Sequence, residues 1–174
     1  MRLFVAIRLS ADVKEHLKAA MELLRRSGRG NFTREENLHV TLAFIGETER
    51  VDAAKRALAN VDTPPFTLKL SKCGHFGDLY WAGAELNEGL QALEREVRQQ
   101  LLAEGFTLEN RPFKPHLTLV REYKSTAPLD KEALERTLNG AECSIGEVVL
   151  MESTRIKGKL VYRSILRKQL QLKV

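Results

Sequence analysis

Apolar positions along the chain fall into two rhythms. Continuous or alternating short runs predict strands at Leu3 to Leu9 (LFVAIRL), Leu38 to Ile45, Phe66 to Leu70 (FTLKL), Leu79 to Ala84 (LYWAGA), Glu147 to Glu152 (EVVLME) and Leu160 to Leu172. The first of these is mostly apolar and belongs in the middle of a sheet. Helical spacing takes over behind Ser10, where Val13, Leu17, Ala20 and Leu24 recur on one face and His16 falls on the polar side. Further helices are predicted over Val51 to Leu58, over a long segment with Leu86, Leu90, Leu93, Val97, Leu101 and Leu102 turned inward, and over Asp130 to Leu138. Gly28 and Gly30 stop the first helix, Pro64-Pro65 follows the second and Gly105 closes the third. Asn31 to Asn37 and Ser71 to Asp78 read as connections, and Lys157-Gly158-Lys159 as the turn between the last two strands. Strand–helix–strand–strand order, repeated with variation, predicts an α+β fold of mainly antiparallel sheets. No linker or composition break divides residues 1–174, so one domain is expected.

Composition narrows the choice of partner. With 43% apolar residues the chain can bury a substantial core, and a net charge of +5 favours an anionic ligand over a cationic one. Cys73 and Cys143 are too few for a disulfide framework and suit a reducing compartment as small buried hydrophobes. No signal peptide is visible, and no stretch approaches the roughly 20 apolar residues that cross a bilayer. A cytoplasmic protein away from membranes, monomeric by default, is the expectation.

Within that frame one short pattern occurs twice. Leu38-His39-Val40-Thr41-Leu42 and Pro115-His116-Leu117-Thr118-Leu119 share the form His, apolar, Thr, Leu. Side chains at i and i+2 of a strand share a face, so His39 stands beside Thr41 and His116 beside Thr118, with the intervening apolar residues turned to the core. The imidazole and hydroxyl roots are then about 6–7 Å apart, a suitable gap for two donors gripping one phosphate. The copies lie 77 residues apart, one in each half of the chain. Halves of this size are each marginal alone, which predicts two lobes with a cleft between them.

Imidazole titrates near neutrality, so one ring can take a proton while the other gives one. Threonine hydroxyls can donate to phosphate oxygens as charge grows on them. This set fits in-line displacement at phosphorus, and a ribose 2′,3′-cyclic phosphate suits it because ring strain lowers the need for a metal. Metal and cofactor signals are weak: there is no HExxH and no GxxxxGK, and Cys73-Gly74-His75 reads as a loop cysteine beside a surface histidine. No cofactor is expected.

The segments Asn37-Leu38-His39-Val40-Thr41-Leu42 and Arg111-Pro112-Phe113-Lys114-Pro115-His116-Leu117-Thr118-Leu119 resemble the signature of the 2H phosphoesterase superfamily, and within it the RNA 2′,3′-cyclic phosphodiesterases, also called LigT-like or 2′-5′ RNA ligase proteins. The resemblance extends over the chain, from the opening Met1 to Ile7 to a closing pattern of Leu150, Ser153, Gly158 and Tyr162. It implies a bilobed LigT-like fold of two pseudo-symmetric lobes, with antiparallel sheets flanked by helices. It also implies hydrolysis of RNA ends or nucleotides bearing a 2′,3′-cyclic phosphate to a 2′-phosphate. By similarity His39 is the acid at O3′ and His116 the base for water. Thr41 and Thr118 match the phosphate-gripping residues, and Arg121 a position that reaches the nucleotide. Phe44 and Phe76 are candidates to stack on the terminal base. Asn31-Phe32 departs from the Arg-Trp-like pair often found before the first motif. The alternatives are 2′-5′ joining at the same site and a nucleotide- or RNA-binding module without turnover. A basic run (Arg155, Lys157, Lys159, Arg163, Arg167, Lys168) reads as a solvated strand face that can also meet RNA.

Overall fold

The structure, a computed structural model, describes residues 1–172. Nine strands and four α-helices alternate in the order β1 (Arg2–Arg8), α1 (Ala11–Ser27), β2 (Gly28–Phe32), β3 (His39–Glu47), α2 (Val51–Ala59), β4 (Phe66–Phe76), β5 (Leu79–Ala84), α3 (Glu88–Ala103), β6 (His116–Ser125), α4 (Lys131–Arg136), β7 (Glu142–Ile145), β8 (Glu147–Ile156) and β9 (Lys159–Gln169). They form two antiparallel sheets, ordered β3-β1-β8-β9 and β2-β6-β5-β4-β7. The fold is α+β, as the sequence predicts, and each motif strand lies in a different sheet. The sheets are not the two halves of the chain, however. The first sheet takes β1 and β3 from the beginning and two strands from the end, and the second takes β2 together with the middle strands.

That interleaving explains why β1 is apolar from Leu3 to Ile7. It lies between β3 and β8, and Leu3, Val5 and Ile7 point into the main core with Val148 and Leu150. Phe4 and Ala6 point the other way, into a small separate cluster with Val149, Met151 and Tyr162. The ordinary core carries the fold; the second cluster supports the motif on β3.

The helices form for local reasons that the sequence shows. Ser10, Asn87 and Asp130 accept the backbone N–H three residues on, capping α1, α3 and α4. Val13, Leu17, Ala20, Met21 and Leu24 bury the inner stripe of α1. Leu90, Leu93, Val97 and Leu101 do the same for α3, whereas Leu86 and Leu102 are half exposed. Leu86 precedes the cap, and Leu102 sits one residue around the helix from the buried Leu101. His16 is not simply solvated: its Nδ1 lies 2.8 Å from the Thr137 carbonyl, tying α1 to the end of α4.

The sheets depart most from the sequence reading at β4, β2 and β7, and at the first two a glycine allows close packing that local propensity does not report. β4 does not end at Leu70 but continues through the expected loop to Phe76, paired with β5. Gly74 permits this, since a Cβ there would lie 2.3 Å from the Trp81 indole laid across it. Gly28 and Gly30 belong to β2, an additional strand beside β6. A Cβ on Gly28 would stand 2.4 Å from the Lys124 carbonyl oxygen, so the glycine lets the two backbones meet. β7 is the third addition, closing the edge of the second sheet along β4. Cys73 is buried on β4 rather than in a loop, and burial pushes its thiol up to about 11. Among the described residues no helix is long and apolar enough to cross a membrane.

The Gly28 contact is with backbone, which cannot swing aside. Gly28→Ala should therefore lower unfolding stability by about 1–3 kcal/mol, seen as a fall in the denaturant midpoint with little change in slope.

Candidate active site

Thr33 brings the two sheets together at the motifs. Its N–H donates to the Leu119 carbonyl (3.0 Å) and its hydroxyl to the Thr118 carbonyl (2.8 Å), so the chain leaving β2 for β3 is pinned to β6. His39, Thr41, His116 and Thr118 then face one cleft of about 1070 Å³. All four are half-buried, while Val40, Leu42, Leu117 and Leu119 are buried behind them. The alternation expected from the sequence holds on both strands.

Each imidazole is held by the same device. His39 Nδ1 lies 2.7 Å from the Asn37 carbonyl and His116 Nδ1 lies 2.6 Å from the Lys114 carbonyl. A carbonyl only accepts, so Nδ1 carries the proton in both rings and Nε2 is left as the working atom. On His39 that atom accepts from the Thr41 hydroxyl at 3.0 Å. Aromatic rings complete each mount. Phe4 and Tyr162 both lie 5.0 Å from His39, Tyr162 edge-on. Phe76 stands perpendicular to His116 at 5.5 Å, and Trp81 lies 6.2 Å away. Two imidazoles with fixed tautomers, two hydroxyls and Arg121 thus line one cleft.

Comparison with known proteins identifies the family. The sequence profile of the 2′-5′ RNA ligase superfamily matches residues 12–157. The chain belongs to that superfamily. It is 33% identical to the RNA 2′,3′-cyclic phosphodiesterase of Geobacillus stearothermophilus over 170 residues, covering 88% of this chain and 52% of that protein. The chain therefore spans about half the length of that relative. It is 29% identical to the RNA 2′,3′-cyclic phosphodiesterase of Escherichia coli, covering 95% and 94% of the two chains. The crystal structure of E. coli LigT complexed with 3′-AMP superposes with a TM-score of 0.81 at 26% identity over 98% of each chain.

Against this superfamily background the remaining candidates sort by position. Arg121 lines the cleft, exposed and without an ion pair among the described residues. Phe44 also lines it, half exposed rather than core, with the Arg2 guanidinium 4.9 Å above its ring. Phe76 is half exposed but does not line the cleft; it meets the site through His116. Asn31 and Phe32 line the near wall, the former bonded to Glu122 and the latter under Arg25. His75 stacks on Tyr80 on the exposed surface, apart from the cleft. No three His, Cys, Asp or Glu side chains among the described residues group as a metal-ligand set.

Asn37 is the residue whose part the sequence reading did not assign. It is buried, its carbonyl fixes His39 and its side-chain amide donates to the Leu160 carbonyl on β9 at 3.1 Å. No distinct signal marks it in the sequence, since Asn37 closes the polar run Thr33-Arg34-Glu35-Glu36. Tyr162, named only within the closing pattern, forms part of the cleft wall; burial raises its phenol, which keeps its proton and can donate to an anion.

Burial lowers the pKa of His39, opposed by the Asn37 hydrogen bond and reinforced by the nearby charges of Arg121 and His116. The folded state thus holds its proton less tightly than the unfolded chain. The stability linked to this ring is fully present above about pH 6.5 and declines as pH falls through the lower folded value. An NMR titration should place His39 below 6.5, and Arg121→Ala should move the midpoint upward; a midpoint at or above 6.5 contradicts this account of its surroundings.

Proposed function

We propose that this chain hydrolyses terminal 2′,3′-cyclic phosphates on RNA to 2′-phosphates by metal-independent acid–base catalysis. One observation carries the reading: two imidazoles, each locked at Nδ1 by the carbonyl two residues before it, present Nε2 to the same cleft. The Geobacillus and E. coli relatives, both RNA 2′,3′-cyclic phosphodiesterases, support it.

Thr41, Thr118 and Arg121 take the non-bridging oxygens of the cyclic phosphate. His116 removes a proton from water as it attacks phosphorus, and His39 delivers one to the departing O3′, leaving the phosphate on O2′. The low pKa of His39 makes its imidazolium a ready donor, and the phosphate's negative charge offsets the Arg121 and His116 charges that oppose protonation. Protonated Nε2 no longer accepts from Thr41, which frees that hydroxyl to donate to the phosphate. Phe44, half exposed on the cleft wall, is the platform for the terminal base, while Phe76 steadies the His116 ring. One chain carries both half-sites, so a monomer suffices. The continuous main core, which joins elements of both sheets, supports treating the chain as one domain. Unpaired Cys73 and Cys143 are consistent with a cytoplasmic setting.

His39→Ala and His116→Ala should each lower kcat by about 10²–10⁴-fold on an RNA with a 2′,3′-cyclic end. Thr41→Val or Thr118→Val should lower it by about 10²–10³-fold, the range for loss of one donor to developing negative charge. The pH profile should be bell-shaped and turnover should persist in excess EDTA. Product analysis by phosphate position and strand length separates hydrolysis from 2′-5′ joining. Unaltered phosphate-ring opening in both histidine variants rules out the proposed chemistry.

A further inference from the structure

The cleft is far larger than one cyclic phosphate requires, and its charge is lopsided. Arg2, Arg34, Arg121, Arg155 and Lys159 line it, and no Asp or Glu does. Set these five aside and the rest of the chain has 23 Lys and Arg against 23 Asp and Glu. The net positive charge of the protein is therefore concentrated in this one cleft. Arg34 is partly answered by Glu36 at 3.6 Å; the other four have no ion pair among the described residues. Glu122 accepts from Asn31 on the wall but does not itself line the cleft.

Two of these cations lie farther along the cleft wall, away from His39. Tyr162 touches His39 and is paired with Ser153 across β8 and β9. From there Arg155 is two residues along β8, about 7 Å, and Lys159 is three along β9, about 10 Å. Between them the chain turns at Lys157 and Gly158, whose φ of 52° and 78° make the tight hairpin turn that glycine favours. Arg155 Nη1 donates to the Gly158 carbonyl at 3.2 Å, which holds the guanidinium at the tip with most of its donors free. Ser153 and Thr154 add hydroxyls to the same wall.

We infer that the β8–β9 hairpin, through Arg155 and Lys159, is a second phosphate subsite that grips the phosphodiester on the 5′ side of the cyclic end. This rests on the hydrolytic reading above and specifies its substrate: a single-stranded oligonucleotide rather than a mononucleotide. A 2′,3′-cyclic phosphate can only terminate a strand, so every further phosphate lies on one side of it. The hairpin offers cations, hydroxyls and no acid along that path. Single-stranded backbones are bound in this way, by cations along a groove with little sequence preference.

The test compares kcat/KM for a 2′,3′-cyclic mononucleotide with that for a hexanucleotide carrying the same cyclic end. The native protein should favour the hexanucleotide, with the advantage weakening as salt rises. Arg155→Ala with Lys159→Ala should reduce the hexanucleotide-to-mononucleotide ratio by about tenfold, mainly through KM, as expected for two exposed ion pairs. It should also flatten the slope of log affinity against log salt by about 1.4, or 0.7 per phosphate contact. The charge-preserving pair Arg155→Lys with Lys159→Arg should keep most of the ratio. Equal kcat/KM for both native substrates overturns the subsite while leaving the hydrolytic reading standing. So does a ratio that survives loss of both cations in a folded variant. Turnover of neither substrate by the native protein removes that reading and the subsite with it.

Discussion

The hydrogen bond from each histidine's Nδ1 to the carbonyl two residues earlier is the constraint on which the site depends. A neutral imidazole has two tautomers, and a ring free to exchange them presents either a donor or an acceptor to its ligand. Here the backbone makes the choice. Because the partner is main chain, the lock costs no additional side chain and arises wherever a strand begins at a histidine with this geometry. It appears at the first residue of β3 and again at the first residue of β6. The repeated motif thus encodes a repeated bond, not merely a repeated pair of polar side chains.

Around that shared bond the surroundings differ. His39 rests on a small apolar cluster supplied by β1 and β8 and is covered by Tyr162 from β9. His116 is flanked by Phe76 and Trp81, both from the β4–β5 hairpin of the other sheet. Burial presses on the first ring and lowers its pKa. Near symmetry in sequence becomes asymmetry in space, which a reaction needing one proton donor and one acceptor can use.

Most of the architecture was legible along the chain because its strongest signals are local. Caps at Ser10 and Asp130, alternation through both motifs and the continuous apolar run of β1 need no knowledge of tertiary neighbours. What escaped depended on those neighbours. Gly28 and Gly74 read as punctuation because glycine usually interrupts structure. In place, each lets another group approach closely, the Lys124 carbonyl in one case and the Trp81 ring in the other. The site was legible for His39, Thr41, His116, Thr118 and Arg121, all found on one cleft. Asn37 was not, since its side chain bonds to a strand 123 residues away, and Phe76 meets the site through a ring contact with His116. Equating lobes with halves failed for the same reason: separation along the chain does not reveal which sheet the closing strands will join.

The bond between the Asn37 amide and Leu160 gives the last hairpin a temporal role. During synthesis, both motifs emerge before β8 and β9 exist. A nascent chain at that stage holds every motif residue, yet the backbone bearing His39's tautomer lock is not anchored, and neither Tyr162 nor the outer half of the first sheet is present. Completion of the wall around His39 therefore waits for the strands made last.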